Sequence, residues 1–231
     1  MNETLKQNID TVKKLLTEIT THYQPAVLAS SFSAEDMVLM DLIVRFSPEI
    51  GIFTLDTGRL PKETYELMQH VRKKYHNDIT IYVPNSHELE SFVTQYGPNA
   101  FYDSVTLRKQ CCAIRKVHPL QRALQGKKAW LTGMRRSQSV TREDLPVKAY
   151  DETHGLQKYN PLSDWSDKDV WAYIKAFDVP YNTLHDQGYA SIGCAPCTRA
   201  ITPGEDIRAG RWWWENPETK ECGLHVKGEN K

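Results

Sequence analysis

Apolar residues recur at helical spacing from the first turns of the chain. Leu5, Ile9, Val12, Leu16 and Ile19 lie three or four positions apart and share one helix face. Pro25 ends that pattern, and the apolar run Ala26-Val27-Leu28-Ala29 predicts a buried strand. A loop of small and polar residues follows, Ser30-Ser31-Phe32-Ser33-Ala34-Glu35-Asp36, and then a helical pattern through about Arg45. The alternation continues. Ile50 to Leu55 predicts a strand, Asp56-Thr57-Gly58-Arg59 a loop, and Pro61 the first turn of a helix running to about Tyr75. Ile79 to Val83 predicts a strand, Ser86 to Gln95 a helix, and Lys128 to Leu131 another strand. A late helix starts at Ser166 with Asp169 completing a capping box, and it should turn Val170, Trp171 and Ile174 inward. Strands alternating with helices predict an α/β fold with a largely parallel sheet.

After about Tyr181 the periodicity fades, and Pro, Gly and Trp dominate 188–218. This predicts an irregular C-terminal arm, 188–231, folding back over the sheet. With no repeat, low-complexity tract or linker, the expectation is one domain over 1–231.

Composition narrows the function classes. The chain has 231 residues, 40% hydrophobic and 25% charged, which are ordinary globular values. Lys and Arg number 29 and Asp and Glu 29, for a net charge of zero. That balance argues against a nucleic-acid or membrane-surface binder. No apolar run approaches the ~18 residues of a membrane span. The start, MNETLKQNID, is too polar for a signal peptide, so a cytoplasmic location is expected.

The five cysteines carry the chemistry. In a reducing cytosol they read as metal ligands or catalytic thiols rather than disulfides. Cys111 and Cys112 are adjacent, and Cys194-Ala195-Pro196-Cys197 is a C-x-x-C. Four thiols from two loci suit a [4Fe–4S] cluster or a zinc site, with a redox dithiol as a third reading. Neighbouring thiolates are hard to point at one small ion, whereas a cubane offers each its own iron. Cys222, in Glu221-Cys222-Gly223-Leu224-His225, stands outside that set. It is a stray thiol, half of a C-x-x-H metal site, or a nucleophile beside a flexible glycine with His225 to assist its ionisation.

An anion site is suggested by the hydroxyls at the N-terminus of the helix after Ser33. Arg108, Lys109, Arg115 and Lys116 flank the vicinal cysteines. Thr132-Gly133-Met134-Arg135-Arg136 follows a strand, and Arg142, Arg208 and Arg211 come later. Lys116, four residues after Cys112, is the natural cation between an anionic thiolate site and an anionic substrate. Trp212-Trp213-Trp214 reads as a hydrophobic plug holding the arm on the core, with base stacking as the alternative.

These residues resemble the assimilatory adenylyl-sulfate (adenosine 5′-phosphosulfate) reductases, iron–sulfur members of the phosphoadenylyl-sulfate reductase family. The matching motifs are Ser31-Phe32-Ser33-Ala34-Glu35-Asp36, Leu55-Asp56-Thr57-Gly58-Arg59, Lys109-Gln110-Cys111-Cys112 with Arg115-Lys116, Thr132-Gly133-Met134-Arg135-Arg136, Gly193-Cys194-Ala195-Pro196-Cys197 and Glu221-Cys222-Gly223-Leu224-His225. They span about residues 26–225. The loop departs from many members in having Ser33 where they have Gly. The resemblance implies an adenine-nucleotide alpha hydrolase fold, a twisted, mostly parallel sheet with helices on both faces. It implies one [4Fe–4S] cluster per chain on Cys111, Cys112, Cys194 and Cys197, and Cys222 as nucleophile, with His225 and Lys116 in catalysis. Substrate contacts are implied at Ser30, Ser31, Ser33, Leu55, Gly133, Arg142, Arg208 and Arg211.

The activity implied is reduction of adenosine 5′-phosphosulfate to sulfite and AMP by thioredoxin or a glutaredoxin-like protein, through an S-sulfocysteine. Some cluster-bearing members also accept the 3′-phosphorylated substrate, and members are often homo-oligomers. Two other readings compete. An ATP pyrophosphatase would carry S-G-G-x-D-S, which is absent, and an iron sensor would need neither Cys222 nor the arginines.

Overall fold

The computed structural model describes residues 3–138 and 144–216. Its strands are β1 (Ala26–Ala29), β2 (Gly51–Leu55), β3 (Ile79–Tyr82), β4 (Ala129–Leu131), β5 (Lys148–Asp151) and β6 (Leu156–Tyr159). They form one sheet in the order β3-β2-β1-β4-β6-β5. β1 pairs in parallel with β2, Leu28 opposite Ile52, and with β4, Leu28 opposite Leu131. β4 and β6 are also parallel, and β5 and β6 form an antiparallel pair. The result is a mostly parallel sheet with helices on both faces. β1, β2 and β4 are almost wholly buried, which explains their continuous apolar runs.

The helices are α1 (Glu3–His22), α2 (Ala34–Phe46), α3 (Lys62–Tyr75), α4 (Ser86–Tyr96), α5 (Val105–Cys112), α6 (His118–Leu124) and α7 (Asp167–Phe177). The chain gathers into two compact units. The first comprises residues up to 54, with 62–80 and 126–187; the second comprises 55–61, 81–125 and 188 onward.

In the first unit, α1, α2 and α7 pack together. Leu5, Val12, Leu16 and Ile19 of α1 are buried, as their spacing predicts. Each such side chain contributes roughly 1.5–3 kcal/mol on leaving water. α2 is buried from Ala34 to Ile43, and this run includes Asp41. That carboxylate accepts from Tyr75 Oη (2.8 Å), Tyr173 Oη (2.7 Å) and Arg45 Nε (2.6 Å), tying α2 to α3 and α7. The capping box at Ser166 and Asp169 is present. Trp171 departs from expectation. It is 39% exposed and meets Tyr181 and His185 edge-on, while Tyr173 turns inward with Val170 and Ile174. Positions 170, 173, 174 and 177 make the helical stripe, and 171 sits about 60° beyond its edge at 174.

The second unit has a smaller apolar core of Phe92, Phe101, Ile114 and Trp212 packed with Cys111, Cys194 and Cys197. α5 runs into α6 through a π-helical segment, Ala113–Val117, in which the His118 N–H donates to Ala113 O, five residues back. Pro119 explains it. In a regular α-helix its ring would press on the carbonyl of Arg115, and the wider turn relieves that contact. The described part of the C-terminal arm carries a 3-10 turn at Ala195–Cys197 and an isolated bridge between Thr198 and Arg211.

Candidate functional site

The described residues that the sequence marks as candidates fall into two sets, one in each unit. In the first unit the loop leaving β1 turns sharply at Phe32, whose φ is +60° and whose side chain is 1% exposed. Ser30 is buried, and its Oγ accepts from the Phe32 N–H at 3.2 Å. Ser31 is exposed, and Ser33 is the N-cap of α2 with no side-chain capping bond to a backbone N–H. The loop is held by Asp36, which the sequence reading leaves outside the site. Its Oδ2 accepts from the Ser31 N–H and the Ser31 hydroxyl, both at 2.6 Å, and its Oδ1 accepts from the Gly133 N–H at 3.1 Å. Burial pushes the Asp36 carboxyl up, against hydrogen bonds from Ser31 and Ser33 that favour the carboxylate.

Gly133 is obligatory here, because a Cβ would stand 2.4 Å from Asp36 Oδ1. The following Arg135 is buried and donates Nε and Nη2 to Glu35 Oε1 at 3.1 and 2.7 Å, with Nη1 bonded to Ser137 Oγ and Trp165 O. Thus the first turn of α2 and the loop after β4, about 100 residues apart in sequence, are locked to each other.

In the second unit Leu55 ends β2, half-buried. Cys111 and Cys112 close α5, and Cys194 and Cys197 flank the 3-10 turn. All four thiols line one cavity, together with Arg59, Phe101, Arg108, Arg115, Lys116 and Pro196. Its walls are fastened by specific bonds. The Ala195 N–H donates to Arg59 O at 2.8 Å, and Tyr102 Oη donates to Pro196 O at 2.8 Å. Cys194 Sγ lies 3.2 Å from Thr57 Oγ1, and Arg115 Nη1 donates to Thr57 O at 2.5 Å. Thr57 and Arg115 therefore join the two cysteine loci. Among the buried donors described in this unit, Arg115 Nε and Trp212 Nε1 have no oxygen or nitrogen acceptor. No three His, Cys, Asp or Glu side chains among the described residues are placed to hold a metal ion. Burial pushes the Cys197 thiol up to about 12 and the Cys111 thiol upward; neighbouring Cys194 adds to both, and Lys116 and Arg211 oppose it at Cys197.

Lys116 is half-buried on that cavity. Arg208 is half-buried, and its backbone N–H donates to Asp206 Oδ1. Arg211 is 8% exposed and lies against Gly193, where a Cβ would come within 2.3 Å of its Nη2. Arg108 and Arg211 both stand 4.8 Å from the Trp212 ring. Arg108 also forms a buried two-bond pair with Glu215. Of the expected plug, Trp212 is buried while Trp213 is 39% exposed. Arg142, Cys222 and His225 lie outside the described residues.

Comparison with known proteins agrees with this arrangement. A family model described as the phosphoadenosine phosphosulfate reductase domain matches residues 25–200. A protein of Allochromatium vinosum named adenosine 5′-phosphosulfate reductase is 57% identical, over 92% of this chain and 83% of its own. The crystal structure of a phosphoadenylyl-sulfate reductase from Candida auris superposes with a TM-score of 0.71 at 29% identity, covering 87% of this chain and 98% of its own. An FMN adenylyltransferase of Candida glabrata shares only the fold, with a TM-score of 0.59 at 12% identity, covering 98% of this chain and 77% of its own. By the domain match over residues 25–200 and by its identity to these reductases, on an adenine-nucleotide alpha hydrolase-like fold, this chain belongs to the phosphoadenosine phosphosulfate reductase family.

Proposed function

We propose that this protein is an adenosine 5′-phosphosulfate reductase of sulfate assimilation, an oxidoreductase that releases sulfite and AMP with thioredoxin, or a glutaredoxin-like protein, as reductant. The observation that carries the reading is the partition of the thiols. Cys111, Cys112, Cys194 and Cys197 surround one cavity, which leaves Cys222 as the fifth. The 57% identity to a protein of that name supports the substrate.

The residues around the cavity fit a [4Fe–4S] cluster. Four buried or half-buried sulfurs line a space, and the buried Arg115 Nε on its wall lacks an oxygen or nitrogen acceptor. When bound, such a cluster would cross-link the two cysteine loci and set the local charge; no electron transfer through it is required. Arg59, Arg108, Arg115 and Lys116 offset the charge of the thiolates.

In the proposed reaction the Cys222 thiolate attacks the sulfate sulfur. An S–S bond forms as the bond from that sulfur to the phosphate oxygen breaks, and AMP leaves with the electron pair. The serine loop and Gly133 hold the nucleotide, while Lys116, Arg142, Arg208, Arg211 and His225 stabilise the sulfate and phosphate oxygens or the thiolate. A reductant thiolate then attacks Cys222 Sγ, and sulfite leaves with the S–S bonding pair. The second reductant thiol resolves the mixed disulfide and regenerates Cys222, so one dithiol supplies the two electrons.

The test is omission of the reductant. Enzyme mixed with adenylyl sulfate should release about one AMP per chain and gain a sulfonate on the peptide bearing Cys222, with sulfite appearing only after a dithiol is added. Cys222→Ser should bind nucleotide yet form no adduct. A sulfonate on Cys194 or Cys197, or normal turnover by Cys222→Ser, overturns the assignment. The same assay with the 3′-phosphorylated nucleotide tests the second substrate.

A further inference from the structure

We propose that Asp36 is the positioning residue of the nucleotide loop, acting through Ser31 and Gly133 rather than by touching substrate; this rests on the function proposed above. The carboxylate is 6% exposed, yet it takes hydrogen bonds from both loops in which the family resemblance implies substrate contacts. Its two oxygens divide the work. Oδ2 holds Ser31 through both the N–H and the hydroxyl, and Oδ1 holds the Gly133 N–H. A hydroxyl has one hydrogen, so Ser31 Oγ, having given it to Asp36, offers any ligand only lone pairs. The Phe32 N–H is likewise spent on Ser30 Oγ, the Ser30 N–H on Phe53 O, and the Met134 N–H on Thr132 Oγ1. With these donors turned inward, anion binding falls to the first-turn N–H groups of α2, which have no intrahelical acceptor, and to the remaining hydroxyls.

The geometry leaves Asp36 no substitute. Asparagine keeps the shape but has one acceptor oxygen. Its amide nitrogen must then face either the Ser31 donors or the Gly133 N–H, and one loop is released. The close approach of Gly133 to Oδ1 shows that this contact sets the spacing of the loops. No step of the proposed reaction uses the Asp36 carboxylate. Its effect should therefore fall on nucleotide affinity and KM, not on the chemical steps.

The experiment compares wild type, Asp36→Asn and Ser31→Ala as full-length, cluster-loaded enzyme. It measures calorimetric affinity for AMP, kcat and KM for sulfite release from adenylyl sulfate, and Tm. Asp36→Asn should weaken AMP binding and raise KM by about tenfold, the loss of roughly one hydrogen bond to a charged group, while kcat stays near wild type and Tm falls by only a few degrees. Ser31→Ala should shift both in the same direction by less. If Asp36→Asn does not fold, Asp36→Glu, which keeps the charge but changes the reach, decides by the same split of KM from kcat. Wild-type AMP affinity and KM in the folded variants, or a fall in kcat at unchanged KM, overturns the positioning role. A wild-type protein that binds neither AMP nor adenylyl sulfate would condemn the proposed function instead.

Discussion

Removing the carboxylate of Glu215 should destabilise the second unit by several kcal/mol. Arg108 Nε and Nη2 each reach a Glu215 oxygen at 2.8 Å, and the two side chains are 1% and 4% exposed. The guanidinium also lies 4.8 Å from the Trp212 ring. Breaking a buried pair from one side costs about 3–5 kcal/mol, because the remaining charge stays in low dielectric. Part of the guanidinium's stabilisation survives through the ring, which is worth up to about 2 kcal/mol when desolvated. Glu215→Ala should therefore cost on the order of 3 kcal/mol, a large share of the 5–15 kcal/mol typical of a domain. Glu215→Gln keeps one acceptor and should cost less. The double variant Arg108→Met with Glu215→Met removes both charges and should lie near wild type. Urea unfolding followed by tryptophan fluorescence reads the effect where it arises, since Trp212, Trp213 and Trp214 share the segment. The cost should barely change with salt, unlike that of a surface pair. A Glu215→Ala cost below about 1 kcal/mol, the range of an exposed pair, would refute the reasoning. So would a double variant that loses the sum of the singles.

Three further outcomes are expected. Anaerobically purified protein should contain about four irons per chain; stoichiometric zinc after expression with iron supplied would refute the cluster. Lys116→Ala should lose on the order of 2–4 kcal/mol of transition-state stabilisation with iron retained, read as kcat/KM; wild-type turnover would show only a surface lysine. Gly193→Ala would place a Cβ 2.3 Å from Nη2 of the buried Arg211, so the Cys194 turn should shift and iron content fall, whereas wild-type iron would show that Arg211 can yield.

The first unit was readable in sequence because its order is periodic. α1, β1, α2, β2, α3, β3 and β4 begin and end within a residue or two of their predicted limits. In each, one strong signal sets the element: the stripe of α1, the continuous apolar runs of the buried strands, or a cap. The hairpin of β5 and β6 was not readable. Lys148–Asp151 is half-exposed with no continuous apolar run, and its place is fixed by pairing with Leu156–Tyr159. The helical stretch from Val105 to Leu124 was hidden by Pro119, which a regular helix excludes and a π-helical turn admits. Trp171, expected inward with Val170 and Ile174, is turned outward by its angular position on the helix.

The site shows the same division between local and distant order. The four cysteines are visible as thiols wherever they stand, and their chemistry needs no context to be suspected. The residues that hold them are recognisable only by partners far away in sequence. Glu215 is an ordinary exposed-type residue until it meets Arg108, 107 positions earlier. Thr57 gains meaning from Cys194, 137 positions later, and Asp36 from Gly133, 97 positions later. Asp36 was legible in one respect, since it ends the Ser31–Asp36 motif. Its short side chain on the first turn of α2 can reach back only to Ser31 and across to a residue without a Cβ. A carboxylate at that position and a glycine after β4 are thus two halves of a single steric requirement. Lengthening either side chain should separate the loops even if every substrate-facing group were kept.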